Sequence, residues 1–116
     1  MTSEFKESHK FEERKAESDR IRAKYKDRAP IIIEQPENTN IPRLDKTKYL
    51  VPADLTLGQF MHVVRKRLKL APEIAIFIFV NNALHPASTT IGFLYNDNKD
   101  DDGFMYCQLN GENTFG

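Results

Sequence analysis

The chain has 116 residues, of which 40% are hydrophobic and 29% charged, a balance typical of one globular domain and not of a disordered or membrane-spanning protein. Residues 1–69 hold 16 of the 17 cations and 11 of the 17 acids, so a chain of zero net charge has a basic first part and an acidic second part. The lone Cys107 excludes an intrachain disulfide framework and favours a reducing compartment, cytosolic or nuclear. No run reaches the roughly 20 apolar residues that a spanning helix needs.

The first 28 residues are charge-dense and rich in helix formers, and they predict a short helix followed by a longer one. Their main apolar positions are Phe5, Phe11, Ile21 and Tyr25. Because this apolar stripe is thin, we expect the segment to lie on a domain and not to form its centre. The predicted organisation is a helical extension over residues 1–27 and a core domain over residues 28–116.

Four segments predict β-strands. APIIIEQ places three β-branched isoleucines after Pro30, and KYLVP ends at Pro52, with the turn-rich PENTNIPRLDK between them. IAIFIFV, residues 74–80, is apolar without alternation, so it predicts a strand covered on both faces in the middle of a sheet. The acidic turn KDDDG then leads to a final strand, FMYCQL.

The strongest helix signal is ADLTLGQFMHVVRKRLKL, where Thr56 and Gln59 have the spacing of a capping box. Val63 lies off its apolar stripe, which consists of Leu57, Phe60, Met61, Val64 and Leu68. The order of elements is helices, strand, strand, helix, strand, short helix and strand. This order predicts an α+β fold, a ubiquitin-like β-grasp with a four-stranded mixed sheet, a packed helix and two N-terminal helices.

No pattern of residues indicates catalysis or metal binding. His9, His62 and His85 are scattered among different elements, and Cys107 lies among apolar strand residues, where a small buried hydrophobe is the simpler interpretation. NKDDDG resembles the opening of a calcium loop, but Leu109 stands where that loop needs a bidentate glutamate. We therefore predict no catalytic residue, no metal and no cofactor.

The predicted strand KYLVP has apolar side chains on both of its faces, although it should lie at the edge of the sheet. One interpretation is that Lys46 and Lys48 protect the edge and that the other residues belong to the core. The other interpretation is β-augmentation, in which a peptide adds a strand here and two of its side chains, three residues apart, fill pockets on opposite faces. The residues alone leave both interpretations open.

Three segments, KYLVPADLTLGQF, AIFIFV and DGFMYCQLNGENTFG, resemble the autophagy ubiquitin-like modifiers, a family akin to the GABA-receptor-associated proteins and the microtubule-associated protein light chains. The resemblance runs from Phe5 to Gly116. It implies that a cysteine protease exposes Gly116, that an activating enzyme adenylates it with ATP, and that a conjugating enzyme passes it to phosphatidylethanolamine. Thr114 and Phe115 would be read by the processing enzymes. The protein itself would be a tag and not an enzyme.

The resemblance also implies a groove that binds cargo receptors and adaptors through short aromatic-x-x-aliphatic motifs. Its aromatic pocket would comprise Glu17, Ile21, Pro30, Ile32, Lys48, Leu50 and Phe104. Its aliphatic pocket would comprise Tyr49, Val51, Pro52, Leu55, Phe60, Val63 and Arg67. Arg28 and Lys46, together with Lys48 and Arg67, would attract the acidic residues that flank such motifs. A second surface known in relatives would comprise Ile76, Phe77, Ile78 and Phe79.

The resemblance further implies a monomer in solution without a nucleic-acid partner. It would be cytoplasmic, would join the autophagosome membrane after lipidation, and would have the vacuole or lysosome as a further location. An alternative is a non-conjugated adaptor that binds peptides or the cytoskeleton through its basic N-terminal helices. A β-grasp enzyme or sulfur carrier agrees less well with the sequence, because such carriers normally end in a glycine pair and Phe115 precedes Gly116 here.

Overall fold

Helices and strands follow one another in the predicted order in the computed structural model, which describes residues 3–111. The elements are α1 (Glu4–Ser8), α2 (Phe11–Lys24), β1 (Arg28–Glu34), β2 (Lys48–Pro52), α3 (Leu57–Leu68), β3 (Ile76–Val80), α4 (Ile91–Asn98) and β4 (Met105–Gly111). The short helix and the longer helix expected in the first 28 residues are confirmed as α1 and α2.

The strands of residues 3–111 form one mixed sheet in the order β2-β1-β4-β3. β1 pairs antiparallel with β2 and parallel with β4, while β4 pairs antiparallel with β3. The two central strands therefore come from opposite ends of the described chain. This arrangement confirms the predicted four-stranded mixed sheet, and it leaves β2 at an edge, as the sequence predicted.

β3 lies at the other edge of the sheet, so the prediction that residues 74–80 form a central strand covered on both faces is wrong. The strand spans only Ile76–Val80, and its side chains alternate between buried and half-buried positions. Phe77 and Phe79 occupy the half-buried face. Because phenylalanine is as apolar on that face as in a core, the alternation is invisible in a pattern of apolar and polar residues.

α3 begins at the predicted capping box. The Thr56 hydroxyl accepts a hydrogen bond from the Gln59 backbone N–H at 3.2 Å, and the Gln59 side chain accepts one from the Thr56 N–H at 2.9 Å. The predicted apolar stripe faces the sheet, except that Met61 is only partly buried. Its buried members are Leu57, Phe60, Val64 and Leu68, which join the inward residues of all four strands in the main core.

A second, smaller core lies on the opposite face of the sheet, under α1 and α2. It consists of Phe5, Ile32 and Phe104, with Ile21 and Tyr106 packed against it. Phe11 and Tyr25 were also expected to anchor the two helices, but 44% and 37% of their surfaces are exposed, so that part of the prediction is wrong. Both faces of the sheet are therefore covered by helices.

The acidic segment before β4 is the predicted tight turn. It closes at Gly103, whose φ of 92° is a backbone conformation that favours glycine. Burial raises the pKa of Asp100, but the Lys6 ammonium at 2.6 Å and the backbone N–H of Asp102 outweigh burial, so the pKa lies below its ordinary value. Within residues 3–111, no helix is long and apolar enough to span a bilayer.

Candidate functional site

The edge strand β2 presents two different surfaces, because successive side chains of a strand point to opposite faces. Tyr49 and Val51 point into the main core and are buried. Lys48, Leu50 and Pro52 lie on the other face, where Lys48 is exposed and the other two are half-buried. Lys48 and Leu50 of the aromatic pocket thus lie on one side of the strand, and Tyr49 and Val51 of the aliphatic pocket lie on the other. Pro52, also assigned to the aliphatic pocket, lies on the side of Lys48 and Leu50.

The aromatic set gathers between β2 and α2. Cα pairing places Ile32 opposite Lys48 and Pro30 opposite Leu50, so these four side chains share the face that α2 covers. Ile32 and Phe104 are 0% and 1% exposed and form the floor of the set, with Ile21 of α2 packed against them. The structure therefore brings the apolar residues of the predicted aromatic pocket together, with Ile32 and Phe104 shielded from solvent.

An ion pair connects the strand and the helix across this set. Lys48 Nζ lies 2.5 Å from Glu17 Oε2, and it also lies 6.0 Å from the centroid of the Phe5 ring. The Lys48 side chain is 47% exposed, so solvent screens the attraction between the two charges and the ion pair is weak.

The aliphatic set lies where β2 meets α3. The ring centroids of Tyr49 and Phe60 are 5.7 Å apart in an edge-to-face arrangement, and Phe60 is 2% exposed. Leu55 packs against the main core, and Val63 is 44% exposed. The set therefore combines a buried aromatic base with an exposed apolar rim.

Cations surround both sets. Arg28 and Lys46 are exposed, and Lys46 Nζ lies 5.3 Å from the centroid of the Tyr49 ring. Arg67 donates a hydrogen bond to Asp45 at 3.0 Å, and this contact raises the pKa of its guanidinium. Burial raises the pKa of Tyr49, although the Arg67 charge opposes that shift. The β2 edge is therefore a positively charged border around apolar surfaces.

The residues of the expected second surface do not share one face. Ile76 and Ile78 are buried in the main core, at 4% and 1% exposure, whereas Phe77 and Phe79 lie on the opposite side of β3. The two phenylalanines face the side of the sheet that carries α1 and α2. Any surface formed by β3 in this structure therefore consists of Phe77 and Phe79 without the two isoleucines.

A buried carboxylate that the sequence does not predict joins α2 to the acidic turn. Asp102 is 0% exposed and lies 2.6 Å from Arg14 Nη1. Three consecutive aspartates precede Gly103 in the sequence, and nothing local distinguishes the one that turns inward. Only the tertiary position of Arg14 in α2 identifies it.

The residues considered for chemistry are placed in ordinary surroundings. Burial raises the pKa of the Cys107 thiol to about 12, which makes the reactive thiolate rare at neutral pH. His9 Nδ1 lies 3.1 Å from the Phe5 carbonyl oxygen. Among residues 3–111, no cluster of histidine, cysteine and acidic side chains has a metal-binding geometry. Thr114, Phe115 and Gly116 lie outside the described residues.

Comparison with known proteins decides the family. A family model described as "Autophagy protein Atg8 ubiquitin like" matches residues 13–116. The chain belongs to the Atg8 family. This membership confirms the predicted resemblance to autophagy ubiquitin-like modifiers and the ubiquitin-like fold.

Individual Atg8 relatives match over nearly the whole chain. Autophagy-related protein 8 of Emericella nidulans is 58% identical over 116 residues, which cover 100% of this chain and 98% of the relative. Autophagy-related protein 8B of Oryza sativa subsp. indica is 59% identical over 114 residues, with 98% and 96% covered. The crystal structure of Trypanosoma brucei ATG8 matches with a TM-score of 0.90 at 43% identity and covers 97% of each chain. The chain therefore has an autophagy-related, ubiquitin-like role.

Proposed function

We propose that this Atg8-family chain is a lipid-conjugated modifier that is joined through Gly116 to phosphatidylethanolamine and then recruits cargo receptors and adaptors to the autophagosome membrane. In this role it is a substrate of a processing cysteine protease, an activating enzyme and a conjugating enzyme, and it catalyses nothing itself. The helical extension of residues 1–27 and the core of residues 28–116 act together, because each supplies one side of the peptide groove.

The proposed peptide binding rests on the open edge of β2, which has an apolar set on each face of the strand. β1 occupies one edge of β2, and no other strand of residues 3–111 pairs with the second edge. An extended peptide can bond to that edge through its main chain. Successive side chains of such a peptide point to opposite faces of its strand. Two residues that are three positions apart therefore meet the aromatic set on one face and the aliphatic set on the other.

The charges around the groove indicate the chemistry of the peptide. Arg28, Lys46 and Lys48 are exposed on the β2 side of the molecule. Acidic residues beside the aromatic anchor would approach these cations and speed association. An acidic flank would also compete with Glu17 for Lys48, which lies 2.5 Å from Glu17 in the free protein. The proposed ligand is thus an extended, acidic peptide with an aromatic and an aliphatic anchor.

Residues 3–111 contain no helix that could span a membrane. Conjugation through Gly116 supplies a membrane attachment of another kind. Phosphatidylethanolamine carries two acyl chains, and each buried methylene contributes roughly 0.8 kcal/mol, so one covalent bond gives stable anchoring. To test this, the protein is incubated with ATP, phosphatidylethanolamine vesicles and competent extract, and its C-terminal peptide is analysed by mass spectrometry. We expect phosphoethanolamine on Gly116 only when ATP is present. An unmodified Gly116 in an extract that lipidates another Atg8-family protein would favour a non-conjugated adaptor.

Leu50→Ala is expected to weaken binding of a Trp-x-x-Leu peptide by about 2 kcal/mol, or roughly 30-fold in Kd, because a half-buried anchor in the groove is lost. Lys48→Glu should weaken binding similarly, because it places an anion beside Glu17 and repels an acidic flank. Isothermal titration calorimetry measures both effects.

The matched control for Leu50→Ala is Leu84→Ala. Leu84 follows β3 at the opposite edge of the sheet and is 57% exposed, so the same truncation there should leave the peptide Kd unchanged. Urea unfolding of each variant monitors the fold. Unfolding of Leu50→Ala in buffer would mean that Leu50 belongs to the core and would remove it from the groove.

A further inference from the structure

α2 is attached to the rest of the molecule largely through polar contacts. Ser18 is its only buried residue, and half-buried Ile21 supplies its apolar contact with the smaller core. Arg14, Ser18 and Arg22 are spaced four residues apart, so they lie on one face of the helix. Each of them reaches the acidic turn or a group bonded to it. The position of α2 on the sheet therefore depends on a ladder of hydrogen bonds.

The ladder has three rungs. Arg14 Nη1 lies 2.6 Å from Asp102 Oδ2, and the Ser18 hydroxyl donates to the Asp102 carbonyl oxygen. Arg22 Nη1 donates to the Tyr95 hydroxyl at 2.9 Å, and that hydroxyl donates in turn to the Gly103 carbonyl at 2.5 Å. Two of the three rungs end on the same residue, Asp102.

The Asp102 carboxylate accepts three hydrogen bonds, from α2, from β4 and from the backbone that leads into β4. Its Oδ2 accepts from Arg14 of α2 and, at 2.6 Å, from the Tyr106 hydroxyl of β4. Its Oδ1 accepts from the Phe104 backbone N–H at 2.8 Å. A buried carboxylate with this many donors is held in one orientation, and it holds its donors in turn.

These contacts connect two walls of the proposed aromatic pocket. Phe104 forms part of the floor, and its backbone is fixed by Asp102 Oδ1. Glu17 and Ile21 form the helical wall. Glu17 precedes Ser18 directly and Ile21 follows it by about one turn, and the Ser18 hydroxyl donates to the Asp102 carbonyl oxygen. The floor and the helical wall are therefore connected through Asp102, a residue that lines neither. Its carboxylate joins Phe104 to Arg14 of α2, and its main-chain carbonyl accepts from Ser18.

We infer that Asp102 is a positioning residue for the aromatic anchor of the bound peptide, an inference that rests on the proposed peptide-binding function. It sets the separation of Phe104 and α2, and thereby the size of the aromatic side chain that the pocket accepts. Asp102→Asn removes the charge that pairs with Arg14 and turns an amide N–H₂ toward one of the present donors. The helical wall then shifts relative to the floor, while the β2 edge and the aliphatic set stay in place.

The test uses the absence of tryptophan from the chain. A Trp-x-x-Leu peptide is titrated with the full-length protein, and its tryptophan emission reports directly on the aromatic pocket. For Asp102→Asn we expect Kd to rise about tenfold and the blue shift of the bound peptide to become smaller. Asp101→Asn makes the same change of charge at an exposed position in the same turn, and it should leave both quantities unchanged.

Two further measurements separate positioning from general destabilisation. An Ala-x-x-Leu peptide binds only through its main chain and the aliphatic set, so its Kd is larger than that of the Trp peptide. This Kd should be the same for wild type and Asp102→Asn. Tyr106→Phe removes one donor to Asp102 without changing charge, and it should produce a smaller loss of Trp-peptide affinity with the same emission change. This variant also serves if Asp102→Asn fails to fold.

The outcomes are distinct. Wild-type emission and a Kd within twofold of wild type for the folded variants would overturn the positioning role. An equal loss of affinity for the Trp and Ala peptides would also overturn it, because that is what a purely structural role produces. If wild type binds neither peptide, the peptide-binding function itself fails and the inference fails with it.

Discussion

Gly116→Ala is expected to abolish conjugation to phosphatidylethanolamine while leaving the free energy of unfolding unchanged. A glycine without Cβ leaves its carboxylate open to adenylation by ATP and to the narrow active sites of the processing enzymes, and a methyl group there obstructs both. Gly116 follows the last residue of β4, Gly111, by five residues, and we expect its substitution to leave the packing of residues 3–111 unchanged. Mass spectrometry of the C-terminal peptide and urea unfolding measure the two quantities.

The wild-type protein without ATP is the control for this experiment, because it has an intact glycine but no activating reagent. Both samples should show only the unmodified C-terminal peptide. A phosphoethanolamine adduct on another residue of the Gly116→Ala protein would contradict the assignment of Gly116 as the conjugation site. A lower free energy of unfolding for the variant would contradict the second expectation.

Phe60→Ala is expected to lower the free energy of unfolding by about 3–5 kcal/mol, the usual cost of removing a buried phenylalanine. Phe60 is 2% exposed, and its ring packs edge-to-face on Tyr49 at 5.7 Å between centroids. Truncation would open a cavity between α3 and β2 and remove this aromatic contact. Urea denaturation followed by circular dichroism measures the change in the free energy of unfolding.

Val63→Ala is the matched comparison on the same helix. Val63 is 44% exposed, so its truncation should change the free energy of unfolding by no more than about 0.5 kcal/mol. It should nevertheless weaken the binding free energy of the peptide by about 1 kcal/mol if the exposed rim contacts the aliphatic anchor. A loss of stability in Val63→Ala as large as that in Phe60→Ala would show that the rim belongs to the core.

Features with a local cause could be predicted from the sequence. The capping box of Thr56 and Gln59 and the apolar stripe of α3 depend on residues within one helix, and the structure has both. The edge position of β2 agrees with Pro52 and Lys48 on a short strand. The family resemblance named the groove residues, and the structure brings most of them to the two faces of β2.

Features that depend on long-range partners could not be predicted. The order of strands places β4, not β3, next to β1, and an apolar run such as IFIFV has the same local pattern at the edge as in the centre. The attachment of α2 is a similar case. Arg14 and Arg22 look like ordinary surface cations in a charged helix until the acidic turn is placed beside them.

The central position of β4 has a mechanical consequence. β4 is bonded to β1 along one edge and to β3 along the other, and it ends at Gly111. Tension applied to this end in the direction of the strand would load both rows of hydrogen bonds in shear at the same time. An edge strand under the same tension would have only one row to resist it. A membrane tether at the end of the chain would therefore pull on a strand bonded along both of its edges, while the proposed receptor-binding edge of β2 lies two strands away.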